Sequence, residues 1–166
     1  GIDETVTKQL AAYFKTDYLN TIENTDIYGV QYAAILKNIY AVGSGMAHGL
    51  DYGDNFLSVL IANSADEMAS FLRKSGVKNI EVGHTEHQET VNEHRPINYA
   101  ASVYLGDLLV TCYSLHSRNR SFGNMIGKGY AVKAAQLEMR MVAEGYNASK
   151  CMFTINQTIK ADMPIA

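Results

Sequence analysis

The sequence predicts an all-α domain, and three observations support that class. Apolar residues recur at three- and four-residue spacing along most of the 166 positions. Strands and helices do not alternate after the first segment, which argues against a parallel α/β sheet. Hydrophobic residues make up 47% of the chain, and a chain of this length can bury a real core. An ordinary globular helical domain is therefore expected.

The first half of the sequence predicts three helices. The first follows an N-cap at Asp3 or Thr5, and its apolar residues are expected to face inward. A second, buried helix spans 27–49, and a third spans 54–76. The expected inward positions are Val6, Leu10 and Phe14 in the first helix, Val30, Ala34, Ile35, Ile39 and Val42 in the second, and Phe56, Val59, Leu60, Met68, Phe71 and Leu72 in the third.

The remaining segments are shorter or less regular. The polar, β-branched residues 18–24 predict a short strand, and the polar, acidic stretch 77–98 predicts a loop. An apolar pattern resumes over 99–113. Three more helices are expected: one entered through the polar turn 114–119 and ending at Gly127 or Gly129, a short one over 131–137, and a last one from Glu144 with Ala148, Met152 and Ile155 inward.

Composition excludes several function classes. The net charge of −3 argues against nucleic-acid binding, which needs a basic face, although a local cluster of cations can still hold a small anion. The sequence shows neither a leader peptide nor an uncharged apolar run long enough to span a bilayer, so a cytoplasmic protein is expected. Cys112 and Cys151 are too few for a disulfide framework and are expected to be buried, reduced thiols.

Two motifs suggest ligands but have simpler explanations. Gly43, Gly45 and Gly49 resemble a dinucleotide-binding fingerprint, but the third glycine falls one position late and the stretch lies inside a helix. Packing glycines that admit a neighbouring helix or a ligand explain it better. A histidine–glutamate cluster could bind zinc, but nothing fixes a fourth ligand, so a solvated loop is preferred and no metal site is assigned. Its members are His84, His87, His94, Glu86, Glu89 and Glu93.

Lys37 and Asp107 each interrupt an apolar segment. Lysine rarely lies inside a protein unless it is paired, so Lys37 either extends its ammonium group to the surface or serves as a general acid or base. Asp107 either caps a helix or needs a partner, for which Lys37 is a candidate. A third group, 117–120, places a hydroxyl, guanidinium groups and an amide before an apolar helix. Such a turn either binds an anion or is a solvated basic turn with Ser117 or Asn119 as N-cap.

Taken in order, these segments resemble the bacterial glycerol-3-phosphate dehydrogenases. The resemblance covers most of the chain in register, and several blocks together are far more specific than any one of them. The matching blocks are AILKNIYA at 34–41, GMAHGLDYGDN at 45–55, LGDLLVTC at 105–112, SRNRSFG at 117–123, MVAEG at 141–145 and MPI at 163–165.

The resemblance implies a fold like the helical C-terminal bundle of the 6-phosphogluconate dehydrogenase superfamily. Residues 1–25 would be a remnant of the N-terminal Rossmann domain, and 26–166 the helical substrate-binding domain. The implied activity is reversible NAD(P)-dependent interconversion of sn-glycerol 3-phosphate and dihydroxyacetone phosphate, feeding glycerophospholipid synthesis. NAD or NADP would be bound mainly by the absent Rossmann half, so this chain alone is expected to be inactive. A small phosphorylated substrate and a homodimer are the expected partners.

The resemblance also implies roles for particular residues. Lys37 matches the family's proton donor and acceptor at the C2 oxygen. The family's substrate-binding positions match Lys37, Asn38, Asp107, Ser117, Arg118 and Asn119, and its cofactor-binding positions match Arg118, Val142 and Glu144.

The chain departs from the family in three respects. The Rossmann half is missing, and both ends look cut, so a fragment of a longer protein is expected. The stretch 77–98 is longer and more polar than the family pattern. Tyr104 stands where the family usually has a glycine, which could alter the local turn. Two alternatives stay open: another hydroxy-acid dehydrogenase of the superfamily, and a non-catalytic helical dimerisation module. The module predicts an exposed Lys37 far from Asp107 and Arg118.

Overall fold

The computed structural model of the protein describes residues 1–76, 101–139 and 141–166. Regular structure within these ranges is entirely helical, which confirms the all-α prediction. The helices are α1 Glu4–Phe14, α2 Ile27–Gly49, α3 Asp54–Lys74, α4 Asp107–Tyr113, α5 Arg118–Gly127, α6 Val132–Met139 and α7 Glu144–Ile159, with a π-helical turn at Ala101–Gly106 leading into α4.

Helix α2 is the central element, and it has the bounds that the sequence predicts. Its N-terminus is capped by Asp26, whose carboxylate accepts a hydrogen bond from the backbone N–H of Gly29 at 2.8 Å. Helices α3, α4, α5 and α7 all pack against it. Leu36 and Tyr40, one turn apart, are among its fully buried side chains. A helix covered from so many sides holds in place any functional side chain that it carries.

Close packing between α2 and α5 depends on glycines. A Cβ on Gly45 would collide with the carbonyl oxygen of Arg120, and one on Gly49 with that of Asn124. The predicted packing role is therefore correct for both residues. No neighbouring helix approaches Gly43 in this way, because a Cβ there would meet no atom within 4 Å.

A buried carboxylate joins α3 to the C-terminal residues. Glu67 is 5% exposed and accepts hydrogen bonds from the Tyr40 hydroxyl at 3.1 Å and from the backbone N–H groups of Ile165 at 2.8 Å and Ala166 at 3.0 Å. Burial raises the pKa of Glu67, and the negative charge of Asp162 adds to that effect, whereas the three donors oppose it. This contact fixes the end of the chain against the main core.

Several predictions about the first half of the chain are wrong in detail. Val6, Leu10 and Phe14 are 49%, 52% and 64% exposed, because α1 lies outside the group of helices that packs around α2. Residues 18–24 form irregular chain, since no described segment offers them a partner strand. Other misplaced inward positions are Ala34 and Ile35 in α2, where Leu36 is buried instead, and Phe56 and Val59 at the exposed start of α3.

Two predictions about cysteines and metals can also be compared with the structure. Cys112 is buried, as expected, but Cys151 is exposed because it lies on the outer face of α7. Across the described ranges, no group of three or more His, Cys, Asp or Glu side chains is placed to hold a metal ion. His84, His87 and His94, like the rest of the predicted loop 77–98, lie outside the described residues. None of the described helices combines the length and apolar character needed to cross a membrane.

Candidate active site

Lys37 and Asp107 form an ion pair between α2 and the first residue of α4. The Nζ of Lys37 donates to Oδ2 of Asp107 at 2.5 Å, and the two side chains are 21% and 36% exposed. Asp107 also lies in the first turn of α4, where a carboxylate interacts favourably with the helix dipole. The alternative of a non-catalytic module predicted an exposed Lys37 far from Asp107 and Arg118, and the structure contradicts the predicted separation from Asp107.

A second contact joins Asn38, the residue after Lys37 in α2, to Asn119 near the start of α5. Asn119 is 4% exposed, and its Nδ2 donates to Oδ1 of Asn38 at 3.0 Å. Its Oδ1 accepts from the backbone N–H of Gly145 at 2.9 Å, in the first turn of α7. A Cβ on Gly145 would collide with the Asn38 carbonyl oxygen, so α7 begins in close contact with α2. One amide therefore holds α2, α5 and α7 together beside Lys37.

Arg118 and Glu144 lie at the exposed edge of this cluster. The Nη2 of Arg118 donates to Oε1 of Glu144 at 3.2 Å, which links the first residues of α5 and α7. The two side chains are 45% and 53% exposed, so solvent screens the pair and it contributes little to stability. A half-exposed guanidinium held at one nitrogen keeps further N–H donors for an anion.

The remaining two predicted site residues are placed differently. The Ser117 hydroxyl accepts from the backbone N–H of Arg120 at 3.3 Å and caps α5, so this side chain is used by the helix itself. Val142 lies two residues before Glu144 with 61% of its surface exposed, apart from the buried contacts of the cluster.

Sequence reasoning missed the part played by Arg120. This side chain is only 7% exposed, and its Nη1 donates at 2.5 Å to the carbonyl oxygen of Tyr113, the last residue of α4. It therefore fixes the joint between α4 and α5. No local signal in the sequence distinguishes this buried arginine from its exposed neighbour Arg118.

The arrangement of these side chains permits acid–base chemistry next to anion binding. An ammonium group paired with a carboxylate, both still partly open to solvent, can donate a proton to a bound oxygen atom. The N-terminus of α5 and the Arg118 guanidinium offer N–H donors for a phosphate. Asn38 follows Lys37 directly and contacts Asn119, which follows Arg118, so the two functions lie on neighbouring residues of two packed helices.

Comparison with known proteins places this fold first in a class and then in a family. The chain has the fold of part of an oxidoreductase: it matches the solved structure of glycerol-3-phosphate dehydrogenase from Coxiella burnetii with a TM-score of 0.79 and 26% identity, over 98% of this chain and 45% of that one. Residues 26–166 match the family model described as the NAD-dependent glycerol-3-phosphate dehydrogenase C-terminus. The chain belongs to that family.

Curated relatives agree with this membership. Glycerol-3-phosphate dehydrogenase [NAD(P)+] from Chlorobium phaeobacteroides is 35% identical over 152 residues, which are 92% of this chain and 40% of the relative. The enzyme of that name from Lactococcus lactis subsp. lactis is 34% identical over 163 residues, which are 98% of this chain and 43% of the relative. The chain thus spans less than half the length of the relatives that it matches.

Proposed function

We propose that this chain is the substrate-binding and proton-transfer part of an NAD(P)-dependent glycerol-3-phosphate dehydrogenase. The observation that carries the proposal is the Lys37–Asp107 ion pair, 2.5 Å long, beside the Asn38–Asn119 contact between α2 and α5. In this assignment residues 26–166 form the substrate-binding domain, and residues 1–25 belong to the dinucleotide-binding domain.

The proposed reaction transfers a hydride at C2 and a proton at the C2 oxygen, and both move in the same direction. When glycerol 3-phosphate is oxidised, C2 loses a hydride and its hydroxyl loses a proton, which gives dihydroxyacetone phosphate. In the direction of reduction, the Lys37 ammonium donates its proton to the C2 oxygen as the hydride reaches C2. Asp107 keeps the ammonium group in place and balances its charge while the proton moves.

Arg118 and the start of α5 would hold the phosphate. Arginine binds phosphate oxygens through two parallel N–H bonds, and free backbone N–H groups at a helix N-terminus add to that attraction. Asn119 fixes the geometry of this turn through its bonds to Asn38 and Gly145. Binding the phosphate away from the reacting carbon orients C2 toward Lys37 and lowers the entropy cost of reaction.

The exposed edge of the site suits a nicotinamide dinucleotide. Arg118, Glu144 and Val142 are 45%, 53% and 61% exposed, so a cation, an anion and an apolar side chain face solvent along the junction of α5 and α7. We propose that these residues contact NAD or NADP, which is bound mainly by the dinucleotide-binding domain. The cofactor, when bound, accepts or supplies the hydride. The three residues would hold it against the domain and exclude water from its contact with the substrate.

The same proposal includes a cytoplasmic enzyme that forms a homodimer. The large apolar side chains of Leu137 and Phe153 are 77% and 71% exposed, and we propose that they contribute to the dimer contact. Sedimentation of the intact enzyme at several concentrations should show a dimer that dissociates on dilution. A monomer at every concentration would remove the dimer from the proposal without affecting the rest.

Two measurements test the proposed function. Calorimetric titration of the 166-residue chain with glycerol 3-phosphate should show saturable binding, and glycerol should not bind because it lacks the phosphate. A dehydrogenase assay should show no turnover by this chain alone and turnover once the dinucleotide-binding domain is supplied. Measurable turnover by the chain alone, or equal binding of glycerol, would contradict the proposal.

A further inference from the structure

One carboxylate joins the start of α2 to the π-helical turn that precedes α4. Oδ1 of Asp26 accepts the backbone N–H of Gly29 at 2.8 Å and so caps α2. Oδ2 of the same residue accepts the hydroxyl of Tyr104, a side chain that is only 4% exposed. Asp26 lies eleven positions before Lys37, and Tyr104 lies three positions before Asp107. This contact therefore connects the two segments that carry the ion pair.

The connection matters because of the kind of turn that Tyr104 occupies. Residues Ala101–Gly106 form a π-helical turn, and Asp107 is the first residue after it. A π-helical turn is wider than an α-helical one, is rare, and is frequent at functional sites. The direction in which Asp107 projects depends on how far this wider turn rotates before α4 begins. The packing of α4 on α2 and the ion pair already hold these two helices together, and the Asp26–Tyr104 contact additionally holds the turn that precedes Asp107.

We propose that Tyr104 is a positioning residue, whose bond to Asp26 sets the π-helical turn and thereby aims the Asp107 carboxylate at Lys37. The inference rests on the proposed function only in treating Lys37 and Asp107 as the proton-transfer pair. Tyr104 acts on the ion pair through Asp107 and does not itself move a proton. Substitution of Tyr104 should accordingly disturb the ion pair more than it disturbs the fold.

The chain offers a matched control for the loss of a buried tyrosine hydroxyl. Tyr40 is 1% exposed and donates to the buried carboxylate of Glu67 at 3.1 Å. It lies on α2 itself, one turn after Lys37, but its partner is on α3 and not on the turn before Asp107. Tyr104→Phe and Tyr40→Phe each remove one hydroxyl donor to a carboxylate and leave an aromatic ring in a buried site.

The experiment measures the ion pair directly in the 166-residue chain. Nuclear magnetic resonance detects scalar coupling across the hydrogen bond between the Lys37 ammonium nitrogen and the Asp107 carboxylate carbon. We expect Tyr104→Phe to lose this coupling and Tyr40→Phe to keep it, while urea unfolding shows similar destabilisation of both. Retention of the coupling in Tyr104→Phe, or its loss in both variants, overturns the proposal.

A second variant keeps the test decisive if Tyr104→Phe does not fold. Asp26→Ser keeps a good N-cap for α2 but is too short to reach the Tyr104 hydroxyl. The proposal expects loss of the coupling here too, and its retention overturns the proposal. These measurements need neither substrate nor cofactor. A wild-type chain that shows the coupling but does not bind glycerol 3-phosphate would contradict the proposed function and leave this inference standing.

Discussion

The ammonium group of Lys37 and the carboxylate of Asp107 lie 2.5 Å apart although 70 positions separate them in the sequence. Of the three ion pairs in the described part of the chain, this one is the least exposed to solvent. The two residues meet because α4, which begins with Asp107, packs directly on α2, which carries Lys37. Both side chains stay partly open to solvent, so the proposed proton donor can reach a bound substrate.

Removal of either member of this pair should lower turnover more than it weakens substrate binding. Lys37→Met removes the proposed proton donor, and Asp107→Asn removes the charge that holds it. In the intact enzyme we expect kcat to fall about 10²- to 10⁴-fold for Lys37→Met, the range typical of a lost general acid. Steady-state kinetics in both directions measure this. Lys8→Met, which breaks the exposed pair with Glu4, is the control and should leave kcat unchanged.

Arg118 should contribute mainly to substrate affinity. Arg118→Ala removes the proposed phosphate contact and should raise KM or Kd for glycerol 3-phosphate about 10- to 100-fold, since hydrogen bonds to charged groups contribute about 1.5–3 kcal/mol. Arg118→Lys should recover part of the loss because it restores charge but not the paired N–H donors. Arg73, an exposed arginine in the last turn of α3, gives the control Arg73→Ala. Wild-type affinity in Arg118→Ala would exclude Arg118 from the phosphate site.

Helix positions could largely be predicted from the sequence, because apolar spacing and capping residues are local signals. The bounds of α2 are as predicted, and α5 begins after Ser117 as a polar turn before an apolar run indicates. The inward face of α1 could not be predicted in this way. Periodicity shows that Val6, Leu10 and Phe14 share a face, but it does not show whether another helix covers that face.

The sequence named Lys37 as a candidate partner of Asp107 but could not establish the contact, which the structure shows. Lys37 and Asp107 each stand out as a charge in an apolar run, whereas their pairing depends on how α4 rotates against α2. The hydrogen bond from Tyr104 to Asp26 could not be predicted either, because it joins two elements that are distant in the sequence. Local pattern carries no information about such long-range contacts.

The two cysteines should react at very different rates. Cys151 is exposed, whereas Cys112 is buried, and burial raises the pKa of the Cys112 thiol to about 11 even though the Ser44 hydroxyl and the Arg120 charge oppose that shift. The thiolate is the nucleophile, so Cys112 should resist alkylation at neutral pH. Mass spectrometry after brief iodoacetamide treatment should find label on Cys151 alone, and on both residues in urea. Cys151→Ser should stay unlabelled while folded; label on its Cys112 would contradict the burial.

Glu67 should make the protein less stable as pH rises above the usual carboxyl range. Its folded pKa is raised above the ordinary 4.5, so between these two values the folded state binds more protons than the unfolded state. The free energy of unfolding then falls with increasing pH across that window. Glu67→Gln should remove this part of the pH dependence. It can also change the free energy of unfolding by an amount that is the same at every pH. Urea unfolding of both proteins at a series of pH values measures the difference in slope; equal slopes would show that Glu67 does not titrate abnormally.

Two glycines of the same helix should respond in opposite ways to alanine. Gly43 and Gly45 are two positions apart in α2, but a Cβ meets open space at Gly43 and the backbone carbonyl of Arg120 at Gly45. Gly43→Ala should stabilise the protein by up to about 1 kcal/mol, because alanine loses less backbone entropy in a helix than glycine does. Gly45→Ala should destabilise it by about 1–3 kcal/mol or more, because backbone atoms must move apart.

Urea unfolding followed by circular dichroism measures the change in stability of Gly43→Ala and of Gly45→Ala. The scalar coupling between Lys37 and Asp107 shows whether either substitution alters the ion pair. Since α5 carries Arg118 and Asn119, separation of α2 from α5 in Gly45→Ala should also weaken binding of glycerol 3-phosphate, whereas Gly43→Ala should bind like the wild type. Equal stability of the two variants would mean that α2 and α5 do not pack as closely as the glycines indicate. The start of α5 would then be held in place mainly by the contacts of Asn119 and Arg120.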